Sequence, residues 1–292
     1  MKSDPSGYEL IAAASLNDAA SLLTASPGEL LLIAGGTDVM VQFAAGVLPK
    51  RKLLSVWNLP ELRRIESSPQ ELLIGAGVTY TDLRRNRIVA EEFPLLAQAA
   101  GWTGGIANQN RGTLGGNIAN ASPAADSLPA LLAYEAELIL FSVRGDRRVT
   151  HVDFHTGYKE SLLAPDELIR AIALPRKFGG YFSYGRKAGA RLAQAISKVC
   201  VAALGRIEKG AVEDVRIAVG SVAAVPIRLR RTEALLTDKR LDASLIESAR
   251  QAAVAEIQPI DDIRSTARYR AAVTGNLVAE FLDQLGASAD QK

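Results

Sequence analysis

The most constraining stretch of this 292-residue chain runs from Arg111 to Asp126, with the sequence RGTLGGNIANASPAAD. Three glycines and two asparagines interrupt sequence that is otherwise apolar and helical in pattern. Glycine permits a positive φ and a close approach of backbone to ligand, and the short polar side chains add hydrogen-bonding groups. Such a long stretch without hydrophobic periodicity is uncommon in a compact domain unless it is functional. We therefore predict a binding loop here, with a purely structural loop as the alternative, and Asp126 could cap the following helix.

Another glycine stretch lies earlier in the chain, at residues 29–38, with the sequence ELLLIAGGTD. Its pattern predicts a buried strand that runs into a Gly35-Gly36 turn, and a helical pattern follows over 39–45. Free N–H groups and the positive end of a helix at such a turn suit a phosphate. The alternative is an ordinary strand-to-helix turn that needs glycine for its φ.

A third glycine pair, Gly75 and Gly77, follows a predicted strand and precedes a predicted helix. Tyr80 occupies the place where a dinucleotide fingerprint needs its third glycine, which disfavours a Rossmann unit. Thr79 and Asp82 instead predict a capping box for the helix beginning near 81. A nucleotide triphosphatase is disfavoured too, because no glycine stretch ends in Lys-Ser or Lys-Thr.

Composition narrows the class of protein. A net charge of +2 gives no reason to expect nucleic acid or an anionic membrane surface as a partner. No apolar run approaches the length of a membrane span, and residues 1–7 lack a signal-peptide core, so we expect a cytoplasmic protein. One cysteine, Cys200, excludes disulfides and cysteine-ligated clusters within the chain and is expected to be a buried, inert thiol. The two histidines, His151 and His155, lack carboxylates or cysteines at ligand spacing, so no metal site is expected.

The C-terminal third has a different pattern from the rest. Beyond a boundary near 175–180, strands are predicted at 181–187, 195–206 and 213–222, and helices at 245–257 and 267–282. Strands followed by helices predict a smaller α+β domain with helices on one face of an antiparallel sheet.

Together, AGGTD at 34–38 and TLGGNIANASPAAD at 113–126 resemble the two flavin-binding signatures of the FAD-carrying (medium) subunit of molybdenum hydroxylases. That family includes the xanthine dehydrogenase and carbon monoxide dehydrogenase flavoproteins. Stretches at 154–175, 186–199 and 263–270 are similar as well, so the resemblance covers essentially the whole chain. It implies an α+β fold with a two-part FAD-binding domain of the PCMH type over 1–176, divided into subdomains of about 1–57 and 58–176. A smaller α+β domain would follow over 181–287.

The resemblance also implies a cofactor-binding set and no catalytic or metal-binding side chain. The segment 32–39 would wrap the FAD diphosphate through backbone N–H groups, and Asp126 would accept a hydrogen bond from a flavin hydroxyl. Ile169 would lie against the isoalloxazine ring, and Lys187 would lie near the flavin unless it is a solvated lysine beside Arg186. The whole set is Leu32, Ile33, Ala34, Gly35, Gly36, Thr37, Asp38, Val39, Thr113, Gly116, Asn117, Asn120, Asp126, Ile169 and Lys187.

The function implied is that of an electron-transferring oxidoreductase subunit with noncovalent FAD, since neither flavin motif contains a histidine. In such enzymes a large molybdenum-cofactor subunit oxidises the substrate and a small subunit with 2Fe-2S clusters passes electrons to the flavin, which reduces an acceptor such as NAD. Thr37-Asp38 favours the xanthine-dehydrogenase-like branch, and a dimer of heterotrimers is expected. The alternatives are a free-standing FAD-dependent oxidoreductase of the same flavin fold and a nucleotide-binding scaffold without redox function.

Overall fold

A computed structural model describes residues 4–49, 52–191 and 194–289 of the chain. The first sheet is parallel, has the strand order β1-β3-β2 and lies within residues 9–55. Its elements are β1 (Glu9–Ala12), α1 (Leu16–Ala25), β2 (Leu30–Ile33), α2 (Val39–Ala45) and β3 (Lys52–Ser55). The Ser15 hydroxyl caps α1 by accepting from the Asp18 N–H at 3.1 Å. The strand and helix predicted on either side of Gly35-Gly36 are confirmed, but only Leu30 of the strand is buried, so the expectation of a buried strand was wrong for its other residues.

The second sheet is antiparallel, has the order β4-β5-β10-β6-β7 and lies within residues 65–175, so the predicted division near 57 falls between the two sheets. Its strands are β4 (Ile65–Ser67), β5 (Glu71–Gly75), β6 (Glu137–Ser142), β7 (Gly145–Thr150) and β10 (Leu168–Pro175). A small hairpin pairs β8 (His155–Gly157) with β9 (Glu160–Ser161). Seven short helices belong to this described region: α3 (Tyr80–Arg85), α4 (Arg87–Glu92), α5 (Pro94–Trp102), α6 (Ile106–Arg111), α7 (Leu114–Ala119), α8 (Ser127–Ala133) and α9 (His151–Phe154). The predicted capping box is confirmed, because Thr79 and Asp82 each accept from the other's backbone N–H.

The C-terminal region forms a third, antiparallel sheet of order β11-β12-β13-β14. Its elements are β11 (Phe182–Ala188), β12 (Val199–Glu208), β13 (Ala211–Gly220), β14 (Ile227–Arg228), α10 (Arg230–Leu236), α11 (Ala243–Glu256) and α12 (Ala267–Ala289). The α+β fold predicted from the sequence is confirmed. Two details differ: β12 starts at Val199 rather than 195, and α12 runs on to Ala289.

This third sheet is buried on both faces. Alternate residues of β12, Val199, Val201 and Ala203, pack in the core with the C-terminal helices, whereas Ala202 and Leu204 pack in the core of residues 16–178. Successive side chains of a strand point to opposite faces of the sheet, and in β12 the side chains on both faces are therefore apolar. The C-terminal helices lie on one face of this sheet. Helices α8 and α5, which belong to the region of residues 65–175, cover the other face.

A cluster of charged side chains also joins the C-terminal sheet to the preceding part of the chain. Glu135 accepts hydrogen bonds from Lys177 at 2.5 Å, Arg216 at 2.8 Å and Arg228 at 3.3 Å. Burial raises the pKa of the Glu135 carboxyl, but Lys177 and Arg216 outweigh burial and lower the pKa to about 2. Arg228 is buried and also binds both oxygens of Glu233. The predicted boundary near 175–180 starts at the last residue of β10 and ends before β11.

Two expectations from the composition concern membrane spans and the single cysteine. No helix in the described ranges is long and apolar enough to cross a membrane. Cys200 is buried as expected, and burial raises the pKa of its thiol well above the ordinary value.

Candidate functional site

The two glycine stretches, of which residues 29–38 are the first in chain order and residues 111–126 the second, lie directly against each other. A Cβ on Gly35 would fall 1.6 Å from the backbone oxygen of Arg111, so only glycine lets these two backbones come this close. The Arg111 Nε donates to the Gly35 oxygen at 3.4 Å, and the guanidinium lies 3.8 Å from the centroid of the Trp57 ring. Sequence reasoning placed Arg111 at the start of the second stretch but missed its contacts with Gly35 and Trp57, because nothing local marks a contact between such distant positions.

Polar side chains join the stretches at a second point. Asn120 donates to Asp38 Oδ1 at 3.3 Å, and Gln42 donates to Asp38 Oδ2 at 2.5 Å. Lys159, from the β8–β9 hairpin, donates to the backbone oxygen and Oδ1 of Asn120 at 2.8 and 2.6 Å. Lys159 was also missed, although it lies within the 154–175 stretch that carries part of the resemblance. Hydrogen bonds thus connect the hairpin, the second stretch and the first.

The first stretch leaves backbone donors unused. Gly36 has a φ of +77°, in the left-handed region that favours glycine. Within the described residues, the N–H groups of Gly36, Thr37 and Asp38 find no acceptor, and all three residues are partly exposed. Consecutive N–H groups without acceptors, next to the start of a helix, form an anion-binding concavity. This turn fits the diphosphate of a dinucleotide such as FAD.

The second stretch is built differently from the predicted open loop. Thr113 is the N-cap of the short helix α7, and the first N–H groups of that helix are all satisfied within the protein. These bonds run from Leu114 to the Val78 oxygen at 3.0 Å, Gly115 to the Ala76 oxygen at 2.9 Å, Gly116 to Thr113 Oγ1 at 3.1 Å and Asn117 to the Thr113 oxygen at 3.0 Å. A Cβ on Gly115 would lie 2.4 Å from the Ala76 Cβ, so this glycine permits close packing of α7 on the segment after β5. The expectation of a long loop was wrong because hydrogen bonds to distant residues 76 and 78 stabilise a helix that has no hydrophobic periodicity.

Gly116 nevertheless presents an open surface. It is exposed, and a Cβ there would meet only Thr113 Oγ1, at 2.8 Å. Thr113 itself is 3% exposed and its hydroxyl is the cap of α7, while the Asn117 side-chain oxygen accepts from Ser127 at 2.7 Å. Gly116 therefore leaves room for a ligand next to the first turn, and Thr113 and Asn117 support the backbone beneath it. Their contacts with a cofactor stay predictions.

Asp126 and Lys187 form a buried ion pair at 2.6 Å, with both side chains 7% exposed. Ser197 donates to the other Asp126 oxygen at 2.5 Å, and Lys187 also donates to the Trp102 backbone oxygen at 3.0 Å. Burial raises the pKa of the Asp126 carboxyl, although Lys187 and Ser197 favour its charged form. Asp126 makes no side-chain cap to α8, so that expectation was wrong, as was the alternative of a solvated Lys187. The pair instead holds β11 against the end of the second stretch.

Among the remaining members of the predicted set, some lie in strands and one begins a helix. Leu32 and Ile33 belong to β2, and Val39 is the first residue of α2. Ile169 lies in β10 opposite Leu140 and is 6% exposed, so most of its side chain packs in the core of residues 16–178. Contact of Ile169 with a flavin ring stays a prediction.

Neither histidine belongs to a cluster of metal-ligating side chains. Across the described ranges, no three His, Cys, Asp or Glu side chains are placed to hold a metal ion. The two imidazole rings contact each other edge to face, with centroids 5.5 Å apart. Burial, and then the neighbouring His155, lower the pKa of His151 to about 3, so His151 is neutral at ordinary pH.

Comparison with known proteins identifies the family to which this chain belongs. Residues 6–177 match the family model described as the FAD binding domain in molybdopterin dehydrogenase, and residues 185–285 match the C-terminal domain of carbon monoxide dehydrogenase flavoproteins. This chain belongs to the family of FAD-binding medium subunits of molybdenum hydroxylases. As an FAD-binding subunit it is a component of an oxidoreductase.

Two relatives and one solved structure show how far the similarity extends. The putative xanthine dehydrogenase FAD-binding subunit of Escherichia coli (strain K12) is 32% identical over 286 residues, which cover 96% of each chain. The carbon monoxide dehydrogenase medium chain of Hydrogenophaga pseudoflava is 29% identical over 96% of this FAD-binding subunit and 97% of its own length. A solved structure of carbon monoxide dehydrogenase from that organism, lacking the Mo-pyranopterin moiety, superimposes with a TM-score of 0.91 at 30% identity, covering 94% of this chain and 96% of its own.

Proposed function

We propose that this chain is the FAD subunit of a xanthine-dehydrogenase-like molybdenum hydroxylase, and that it passes electrons from an iron–sulfur subunit to an external acceptor such as NAD. The observation that carries the proposal is the turn at Gly36, Thr37 and Asp38. It offers unused N–H groups in a chain 32% identical, over nearly its whole length, to a putative xanthine dehydrogenase FAD-binding subunit. Thr37-Asp38 after the glycine pair supports the xanthine-dehydrogenase-like branch.

The residues of the site have different roles in binding the cofactor. The N–H groups of the first turn bind the diphosphate, and the exposed Gly116 lets the cofactor approach α7. Asn120, held by Lys159, keeps Asp38 and hence the turn in position. When bound, FAD supplies the redox chemistry, and the protein supplies position and electrostatics. Neither glycine stretch contains a histidine, which supports noncovalent binding.

The composition supports a requirement for partners. One cysteine cannot ligate an iron–sulfur cluster, so a small subunit with 2Fe-2S clusters and a large subunit with the molybdenum cofactor are expected. The relative from Hydrogenophaga pseudoflava is called a medium chain, which fits a complex of three kinds of subunit. We propose a dimer of such heterotrimers.

Stopped-flow spectroscopy tests the electron path. The purified chain, loaded with FAD, is mixed anaerobically with the reduced iron–sulfur subunit of its complex, and the flavin absorbance is followed. We expect bleaching of the flavin at a rate that rises with the concentration of the iron–sulfur subunit, and recovery of the absorbance when NAD⁺ is added. Bleaching without recovery by NAD⁺ would mean a different acceptor.

A control separates the flavin path from direct reduction of the acceptor. The same mixture with FAD-free protein should leave NAD⁺ unreduced while the iron–sulfur subunit stays reduced. Reduction of NAD⁺ without FAD, or a flavin that is not bleached by the reduced iron–sulfur subunit, would contradict the proposed function.

A further inference from the structure

Two arginines contact the same tryptophan ring beside the turn of the first glycine stretch. The guanidinium carbon of Arg111 lies 3.8 Å from the centroid of the Trp57 ring, and that of Arg63 lies 3.9 Å from it. Arg63 Nε also donates to the Trp57 backbone oxygen at 3.0 Å. Both arginines are exposed, but the ring restrains their guanidinium groups, so they lose less conformational entropy when they act on a ligand.

Neither guanidinium is neutralised by an acidic side chain. Among the described residues, no carboxylate forms an ion pair with Arg63 or Arg111. Asp38, in the turn itself, is hydrogen-bonded to two side-chain amides instead. Glu61, two residues before Arg63, has a buried Oε2 with no hydrogen-bond partner in the described part of the chain. Two like charges on one ring repel each other, and a nearby anion offsets that repulsion.

The bond from Arg111 to Gly35 reaches the peptide group that carries the first unused donor of the turn. The Gly35 oxygen accepts from Arg111 Nε at 3.4 Å, and the Gly36 N–H belongs to the same peptide group. In a trans peptide the C=O and the N–H point in opposite directions, so the Gly36 N–H points away from Arg111. A positive charge at the C=O also polarises the peptide and strengthens its N–H as a donor.

The backbone on which Arg111 is carried is itself ordered. A Cβ on Gly35 would fall 1.6 Å from the Arg111 backbone oxygen, so these two backbones are in direct contact. The next residue, Gly112, donates to the Asn108 oxygen at 2.6 Å and accepts from the Tyr80 N–H at 3.1 Å. The Arg111 side chain therefore starts from a fixed point, and Trp57 fixes its other end.

We propose that Arg111 is a positioning residue of the FAD site, which orients the Gly35-Gly36 peptide so that the Gly36 N–H faces the diphosphate. Trp57 holds the guanidinium of Arg111 in place. Arg63 and Arg111 together supply positive charge to the side of the turn, and this charge favours the anionic diphosphate. The inference rests on the proposed function, because that function places the FAD diphosphate at this turn.

Fluorescence titration of the FAD-free chain with FAD tests this role. Arg111→Met keeps an aliphatic stem over Trp57 but removes the charge and the donor, and it should weaken FAD binding by about tenfold. Arg111→Lys should recover part of that loss, because the charge remains. The matched control is Arg268→Met in α12, since Arg268 is also exposed and has no ion pair among the described residues; it should bind FAD as the wild type does.

Two further measurements separate positioning from a merely structural role. The FAD affinity of the wild type should fall as salt is added, and that of Arg111→Met should fall less steeply, because one screened charge is absent. The ¹⁵N–¹H resonance of Gly36 in the FAD-free chain should shift in Arg111→Met, because its peptide is no longer oriented and polarised. The melting temperature of the FAD-free chain should be unchanged, because the Arg111 side chain is exposed.

Wild-type FAD affinity in Arg111→Met would overturn the inference and leave the proposed function intact. A loss of FAD affinity with a lowered melting temperature, an unchanged salt dependence and no recovery in Arg111→Lys would mean structural support only, and would overturn it too. If FAD binds the wild-type chain without moving the Gly36 resonance, the diphosphate lies elsewhere and the role of Arg111 fails with the assignment of the turn. Failure of the wild-type chain to bind FAD at all would contradict the proposed function itself.

Discussion

Gly36 and Gly116 lie in neighbouring glycine motifs, yet the backbone around them is used in two different ways. Around Gly36, consecutive N–H groups have no acceptor among the described residues, and the backbone is in a left-handed conformation. Around Gly116, the N–H groups are bonded to Thr113 and to the segment after β5. We therefore propose that two motifs of similar composition supply different things: the first supplies donors for the ligand, and the second supplies the scaffold that holds them in place.

If the second motif is a scaffold, removing the ion pair at its C-terminal end, between Asp126 and Lys187, should mainly reduce the stability of the protein. Lys187→Met removes the partner of a buried carboxylate and should reduce the free energy of unfolding by about 3–5 kcal/mol, measured by urea denaturation. The double variant Asp126→Asn/Lys187→Met should recover part of that loss, because no buried charge is left unpaired. A loss below about 1 kcal/mol in the single variant would mean that the pair is not a structural support.

The contact between the motifs gives the next largest effect. Gly35→Ala places a methyl group against the Arg111 backbone oxygen and should cost about 2–3 kcal/mol of unfolding free energy by overpacking. FAD content should fall as well, because the two motifs can no longer meet. Gly179→Ala is the control, since a Cβ there meets nothing within 4 Å and should leave both quantities unchanged. Full FAD occupancy in Gly35→Ala would show that the motifs need not touch.

A sharper test separates backbone strain from ligand binding. Gly36→Ala forces a side chain into the left-handed region, which should cost about 1–2 kcal/mol of stability, and it should also weaken FAD binding because the N–H groups move. Gly28→Ala has the same strain, with a φ of +76°, and a Cβ there meets nothing within 4 Å. We expect equal losses in melting temperature but a loss of FAD affinity only in Gly36→Ala. Equal FAD affinity in both variants would remove the ligand-donor role from the first motif.

The smallest expected effect concerns the cap of α7. Thr113→Val removes the hydroxyl that accepts from Gly116 and should cost about 1 kcal/mol of unfolding free energy. FAD affinity, measured by fluorescence titration, should change little, since this hydroxyl is buried beneath the backbone. A fall in FAD affinity larger than that of Gly36→Ala would reverse the roles assigned to the two motifs.

The sequence was most informative where structure is local. The strand, glycine turn and helix around Gly36, and the capping box of Thr79 and Asp82, follow from residues a few positions apart and were confirmed. The helix α7 was not predictable in this way, because its first two N–H groups, of Leu114 and Gly115, donate to Val78 and Ala76, far away in the chain.

The side-chain contacts of the site show the same limit. Residue type alone could not reveal that Lys187 is buried on Asp126, or that Lys159 reaches Asn120 from a hairpin. A lysine in a polar run is ordinarily a solvated residue. The burial of this pair follows from the packing of β11 on the end of the second motif, where Lys187 also donates to the Trp102 carbonyl and Ser197 donates to Asp126.

Amide hydrogen exchange, resolved to single residues and compared between FAD-free and FAD-bound protein, tests the difference between the motifs most directly. We predict that the amides of Gly36, Thr37 and Asp38 exchange fast without FAD and become protected when it binds. The amides of Leu114, Gly115 and Gly116 should be protected in both states, because the protein already satisfies them. Amides at 36–38 that are indifferent to FAD, or amides at 114–116 that become protected only when FAD binds, would contradict the assignment of donor and scaffold.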